Sequence, residues 1–213
     1  MRLFSYCIPF DDGAAPNPFW NECTLAICKP SIRRVAQVGD WVAGVGSVNV
    51  NGISFQNKLV YTMKITSKMT MEEYNTYCSK SLPNKIPDVQ SGDYRRNVGD
   101  SIYDFSNSEN PTLRPSVHII KNRDRDLGGK NVLLSNHFYY FGKNAINIPE
   151  HLHPIVKQGQ AHKSNANEPF KLEFIDWIER SKYLPNYLYG EPQIKVDFSK
   201  KNQDYIDDCY PTC

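Results

Sequence analysis

Two pairs of adjacent arginines give this 213-residue chain its clearest potential for binding an anion. Arg33 and Arg34 follow Lys29 in a short predicted helix, and Arg95 and Arg96 lie in a predicted loop. Both pairs precede a Gly-Asp step, so the second repeats the first. Arginine binds phosphate and carboxylate through paired hydrogen bonds. The pattern predicts that the two pairs form two sides of one anion-binding cleft.

Each arginine also has a structural interpretation. Arg33 or Arg34 can pair with Asp40 or another acid and fix the helix, and Arg95 and Arg96 can be solvated loop residues. We favour the ligand-binding interpretation for the clusters and keep the structural one for any single residue.

Aromatic residues near these clusters could stack on a nucleobase. Trp41 follows the aspartate of the first Gly-Asp step, where it either stacks a base at the mouth of a barrel or belongs to the core. The run HFYYFG alternates, so one face belongs to the core and the other could line a pocket. Tyr140 of this run is a candidate ligand-binding residue.

The loop FDDGAAPNPF is stiffened by its prolines and carries further polar candidates. Asn17 could bind a base edge, and Asp11 or Asp12 could bind a sugar hydroxyl or a metal. The alternative is an ordinary turn, for which Asp-Asp-Gly is a common signal. If the cleft is catalytic, the candidate acids and bases are Asp12, Asp100 and His162.

Established catalytic motifs are absent from the sequence. It contains no phosphate-binding loop, dinucleotide fingerprint, HExxH zinc motif, nucleophile elbow or zinc-deaminase pattern. We therefore predict no cofactor and no metal site. A Cys–His pair stays open, since Cys28 lies beside Lys29, although no spacing supports it.

Composition limits the partners. The formal net charge is only +2, so attraction to phosphate must come from local clusters. No apolar run is long enough to span a bilayer, and the first residues do not resemble a signal peptide. We expect a cytoplasmic protein with reduced cysteines and no membrane association.

The order of predicted elements favours an α+β fold. Short strands outnumber helices, which argues against a doubly wound parallel sheet. We predict a bent, mainly antiparallel sheet or partial β-barrel containing residues 23–28, the Trp41 strand and the strand from Leu59 to Ile65. The other strands include SVHII, and a helix near 170–181 packs outside. Thr70 and Glu73 form a predicted capping box.

Two family resemblances are visible. The order strand, short helix, GDWVAGVGS and LVYTMKITS, over about residues 23–80, resembles PUA-like folds of the EVE and ASCH groups, which implies a small barrel that holds a nucleobase or RNA at its mouth. The segments FDDGAAPNPFWNECTLAICKPSIRRVAQVGDWVAGVGS, YRRNVGDSIYDF and LGGKNVLLSNHFYYFGKNAINIP resemble the nucleotide-modification-associated domain family, second type. This second resemblance implies a setting in DNA base modification or phage defence and no particular reaction.

These observations leave three function classes. The first is a protein that binds a nucleotide or nucleic acid, including a modified base. The second is an enzyme acting on nucleotides or DNA bases in the same cleft, and the third is a scaffold with protein partners in a modification or defence system. We expect one domain over residues 1–182, followed by an irregular C-terminal extension over 183–213, the favoured surface for such partners.

Overall fold

The structure, a computed structural model, describes residues 1–48 and 52–198. Its strands are β1 (Leu3–Ile8), β2 (Cys23–Leu25), β3 (Trp41–Gly46), β4 (Lys58–Lys64), β5 (Ser67–Thr70), β6 (Tyr103–Asp104), β7 (Thr112–Leu113), β8 (Asn131–Ser135), β9 (Phe138–Tyr140), β10 (Ile146–Asn147), β11 (His162–Lys163) and β12 (Tyr187–Leu188). Its α-helices are α1 (Pro30–Val35), α2 (Met71–Ser81), α3 (Tyr94–Asn97), α4 (Arg123–Leu127) and α5 (Lys171–Glu179). Short 3-10 helices cover Pro83–Lys85, Ile120–Asn122, Gly142–Asn144, Glu150–Ile155 and Asn165–Phe170.

A seven-stranded sheet forms the centre of the molecule, in the order β11-β1-β3-β4-β9-β12 with β10 also paired to β4. The pairs β1–β3 and β9–β12 are parallel, and the other pairs are antiparallel. The sheet is therefore open and mostly antiparallel, and the described strands do not close into a barrel. This confirms the predicted α+β class.

The second strand does not join the central sheet, contrary to the prediction. β2 pairs with β8, and β8 pairs with β5, in a separate three-stranded sheet. Residues 116–119 of the predicted strand SVHII are not a strand either. A 3-10 turn begins at Ile120 instead.

The two sheets pack face to face because alternate residues of their strands point to opposite sides. In β1, Phe4 contributes to the core between the sheets, whereas Leu3 belongs to a second core on the outer face of the central sheet. Helix α5 covers that outer face with Phe174 and Ile178, as predicted for a peripheral helix. A third core, on the far face of the small sheet, includes Tyr74 of α2.

Local sequence signals explain the helix starts. Thr70 and Glu73 form the predicted capping box, which satisfies backbone N–H groups at the start of α2. Pro30 begins α1, where its missing N–H costs no hydrogen bond. On α1, Ile32 and Arg33 are buried, whereas Val35 is exposed. No helix of the described residues combines the length and the apolar character needed to cross a bilayer.

Candidate functional site

A strained turn places Cys28 between β2 and α1. Its φ is 56°, and that of Lys29 is 40°, so two successive residues with side chains adopt the left-handed conformation. This conformation costs roughly 1–2 kcal/mol for each such residue. Strain of this kind persists only where the surrounding structure enforces it, and it is concentrated at functional sites. The turn therefore directs attention to what the thiol contacts.

The thiol of Cys28 faces an imidazole that is itself held by a carboxylate. The Sγ atom lies 3.5 Å from Nε2 of His118, and Nδ1 of His118 lies 2.5 Å from Oδ2 of Asp126. Tyr103 donates its hydroxyl to the same carboxylate over 3.1 Å, and the backbone N–H of Cys28 donates to Oδ1. All three central residues are at most 3% exposed. Nucleophile, base and orienting acid are thus in contact, as nucleophilic catalysis requires.

The charges in this cluster support an ion pair. Burial alone would lower the pKa of His118, but the Asp126 carboxylate and the anionic form of Cys28 outweigh it and raise that pKa to about 10. Burial would likewise raise the pKa of Asp126, but the charge on His118 and the hydrogen bond from it hold that pKa below its ordinary value. The surroundings of His118 thus favour its charged form, and a cation beside a thiol favours the thiolate.

Arg33 fixes the backbone around this cluster. Its Nε donates to the carbonyl oxygen of Cys28 at 2.7 Å, one terminal nitrogen donates to that of Asn131 at 2.9 Å, and the other donates to that of Asp126 at 2.5 Å. The side chain is fully buried. Its place beside Gly129 leaves no room for a Cβ there. Arg33 therefore joins the turn of the thiol to the helix of the carboxylate and does not face a cleft, contrary to the prediction.

The Asp-Asp-Gly loop lies next to the cluster. Burial raises the pKa of Asp12 to about 6. The hydrogen bond from the backbone N–H of Ala14 and the positive charge of His118 oppose this rise. Burial also raises the pKa of Asp11 to about 7. Tyr140 donates its hydroxyl to Asp11 at 2.6 Å and is itself buried. Asp12, a candidate acid of the sequence, thus lies close enough to His118 for the two charges to interact.

A second buried network contains two other predicted residues. Lys85 donates from Nζ to the backbone and side-chain oxygens of Asn17, at 2.8 and 2.7 Å, and to Oγ1 of Thr24. Asp100 accepts hydrogen bonds from Thr24 and from Tyr74. All five residues are at most 2% exposed. Asn17 and Asp100 therefore stabilise the interior here and do not face a cleft, in contrast to the prediction.

The remaining arginines are dispersed. Arg34 is exposed and donates to the carbonyl of Gly128. Arg95 pairs with Asp93 at 2.6 Å and stacks on the ring of Trp20. The predicted pairing of Asp40 with an arginine of α1 is wrong, since its partner is Arg2.

Arg96 donates to Oδ1 of Asn84. Because Arg33 is enclosed, the two arginine pairs do not form two sides of one cleft. Trp41 is 1% exposed and belongs to the core, so it presents no surface on which a base could stack.

An open groove of about 830 Å³ contains one of the predicted residues. Arg95 lines it together with Lys143, Lys195, Tyr94 and Tyr189. The groove also includes acidic residues, which pair with several of these cations. Cations interleaved with aromatic rings are suited to a phosphate next to a base.

A smaller cavity, of about 180 Å³, adjoins the turn of Cys28. Lys29 and His162, both singled out in the sequence, line it, together with Ser31 and Arg125. The cavity thus brings together a predicted cation and a predicted histidine that are far apart in the sequence. In residues 1–48 and 52–198, no three His, Cys, Asp or Glu side chains are grouped as metal ligands.

Sequence reasoning missed His118 and Asp126 and assigned Arg33 the wrong role. Cys28 and His118 are separated by 90 positions, and His118 lies in an irregular segment that the sequence predicts as a strand. No local motif links them. The useful signal was the position of Cys28 directly between a strand and a proline-opened helix.

The fold and this site define an α+β protein with a buried thiol–imidazole–carboxylate cluster. The chain belongs to the family described as nucleotide modification associated domain 2, whose model matches residues 1–201. This confirms the family resemblance seen in the sequence. Comparisons with curated proteins and with solved structures gave no significant match, and the PUA-like resemblance stays a prediction.

Proposed function

We propose that this protein is a thiol-dependent acyl-transfer enzyme of nucleotide modification, in which Cys28 is the nucleophile, His118 the general acid and base, and Asp126 the residue that orients the imidazole. The observation that carries the proposal is the continuous contact from the thiol through the imidazole to the carboxylate. The family is associated with nucleotide modification, which supports a nucleotide or DNA base as one substrate. A cytoplasmic role in base modification or phage defence is part of the same proposal.

In the proposed reaction, the thiolate of Cys28 attacks the carbonyl carbon of an ester or amide. A carbon–sulfur bond forms, the bond to the leaving group breaks, and the leaving oxygen or nitrogen takes the proton from Nε2 of His118. The neutral imidazole then removes a proton from an amino group of the nucleotide, or from water, as that acceptor attacks the thioester. This second step restores the thiolate and the imidazolium.

Substrate access requires local movement, because Cys28 is only 1% exposed. Val196 and Phe198 pack against the core cluster that contains Cys28. We infer that residues enclosing Cys28 must shift locally to admit substrate.

Alkylation by iodoacetamide at pH 6 tests the nucleophile. We expect Cys28 to react before Cys23 and Cys78, whose pKa values are raised by burial. Tandem mass spectrometry must locate the label, since no lysine or arginine separates Cys7, Cys23 and Cys28. His118→Gln should slow alkylation of Cys28 about tenfold or more, because it removes the cation that favours the thiolate.

The matched control is His151→Gln, which removes an exposed histidine paired with Glu173. It should leave the rate unchanged. Equal labelling of Cys28 and Cys23 in the folded protein, or a Cys28 rate that does not respond to His118→Gln, would overturn the proposal.

Nucleotide binding in the open groove is the second candidate function. The residue that supports this function is Arg95, which lines the groove beside Lys143 and Lys195 and is half exposed. Arg95→Ala should weaken binding of labelled oligonucleotides or mononucleotides about tenfold or more, as loss of a charge-assisted contact does. The control is Arg180→Ala, which also removes an arginine paired with an aspartate but directly follows α5, outside the groove. Equal affinities of the two variants in fluorescence polarisation would exclude this use of the groove.

A further inference from the structure

The small cavity beside Cys28 has a composition that the nucleophile alone does not explain. Its lining includes Lys29, Ser31, Arg125, Gln160 and His162. Within the described part of the chain, the lining contains no carboxylate. Two cations thus point to this space without an acid on its wall to neutralise them.

The cavity is tied to the reactive cluster through the chain itself. Lys29 directly follows Cys28, and Arg125 directly precedes Asp126. The buried hydrogen bond from the N–H of Cys28 to Asp126 holds these two segments together. The backbones of Lys29 and Arg125 are therefore held next to the thiol–imidazole–carboxylate cluster, and the Lys29 ammonium lies 4.8 Å from the centre of the Tyr6 ring.

Arg125 is part of the wall of the cavity. Its Nε is enclosed by protein and has no hydrogen-bond partner, so a ligand in the cavity would have to bind the terminal nitrogens of the guanidinium. An anionic oxygen group is the ligand that best matches a guanidinium and an ammonium together.

The volume limits what can enter. About 180 Å³ is below the range of pockets that hold whole drug-sized ligands, roughly 300–1,000 Å³. The space fits a phosphate or carboxylate group and not a complete nucleotide. The rest of the substrate must therefore lie outside it.

We propose that this cavity is a subsite for an anionic oxygen group, a phosphate or carboxylate, of the molecule that Cys28 attacks. This inference rests on the proposed function, since it names the charge of the substrate of the same thiol. Lys29 and Arg125 bind the anion, and Gln160 and His162 complete the wall. The substrate is then an acyl compound with a negative group a short distance from its carbonyl carbon.

Paired alkylating reagents test the subsite. Iodoacetate and iodoacetamide both form a sulfur–carbon bond with the thiolate and release iodide, but only iodoacetate carries an anionic carboxylate. The measured quantity is the ratio of their rates at Cys28, iodoacetate over iodoacetamide. The same ratio in urea-unfolded protein is the reference. We expect the ratio to rise about tenfold on folding, because two cations attract the charged reagent.

Variants then identify the cations. Arg125→Gln should return the ratio most of the way to its unfolded value, and Lys29→Gln provides a second, independent variant. Lys130→Gln removes a nearby exposed cation outside the cavity and should leave the ratio unchanged. Millimolar inorganic phosphate or acetate should slow iodoacetate selectively, and the more effective of the two identifies the group.

The outcomes separate the two proposals. If neither reagent labels Cys28 in the folded protein, the proposed function fails. If both label Cys28 but the ratio is the same as in unfolded protein, or does not respond to Arg125→Gln and Lys29→Gln, the nucleophile stands and the anionic subsite is wrong.

Discussion

Two buried polar clusters in this protein look alike in composition and differ in arrangement. One surrounds Lys85 and includes Asn17 and Asp100, and the other surrounds His118 and includes Cys28 and Asp126. Lys85 donates hydrogen bonds to buried oxygen atoms, such as those of Asn17. Around His118, the chain of contacts ends on a nucleophile in a strained turn. A buried charge is therefore weak evidence for a site, whereas an ordered nucleophile, base and acid is strong evidence.

The largest difference between the clusters should appear in stability. Lys85→Met removes the cation that Asn17 and Thr24 surround and should lower the free energy of unfolding by about 3–5 kcal/mol. Cys28→Ser keeps the shape of its cluster and should cost much less. Urea unfolding followed by fluorescence measures both, with the exposed Lys80→Met as control. A loss below about 1 kcal/mol for Lys85→Met would contradict the structural role of its cluster.

A matched pair of tyrosines sharpens the comparison. Tyr74 donates to Asp100 and Tyr103 donates to Asp126, so each substitution by Phe deletes one hydroxyl from one cluster. Each should cost about 1–3 kcal/mol of stability, the typical value for a buried hydrogen bond to a charged group. Only Tyr103→Phe should also change the alkylation rate of Cys28. If Tyr74→Phe changes that rate as much, the two clusters are not functionally distinct.

The last difference between the clusters should be one of pH dependence. The pKa of His118 is raised in the folded state, so its stabilisation is complete below pH 6.5 and is lost as pH rises toward 10. Burial lowers the pKa of Lys85, a shift that the charge of Asp100 opposes, so the native state binds fewer protons there and stability rises as pH approaches 10.5. His118→Gln should remove the loss of unfolding free energy at alkaline pH. Lys85→Met should remove the gain of unfolding free energy at alkaline pH. Unfolding free energies between pH 6 and 10 measure both slopes, and slopes of the same sign would refute this account.

The sequence predicts best where local rules decide the structure. The capping box of Thr70 and Glu73, the start of α1 at Pro30 and the buried strand β4 follow from such rules. The α+β class follows from the order of the elements. The burial of Arg33 does not, because its partners at Asn131 and Asp126 are about a hundred positions away.

The candidate site shows the same limit. The sequence left a pairing of Cys28 with a histidine open only because Cys28 lies beside Lys29, and the partners of Cys28 come from an irregular segment and a short helix. Periodicity detects the faces of regular elements and is silent about such segments. Asp12 was a candidate acid because a stiff loop of acids is a local feature, but the sequence assigned it to a cleft of arginines and not to this cluster. Trp41 illustrates a different error. A tryptophan is suited to stacking on a base, but the strand that contains Trp41 is buried on both faces.

The close contact between Arg33 and Gly129 has a consequence for how relatives of this protein can diverge. A methyl group at position 129 would overlap with the guanidinium, so position 129 is restricted to glycine while Arg33 keeps this place. The restriction acts in one direction, since the arginine can be lost while the glycine stays. We expect an alignment of the family to show glycine at position 129 wherever the arginine is present, and other residues there only where the arginine is absent.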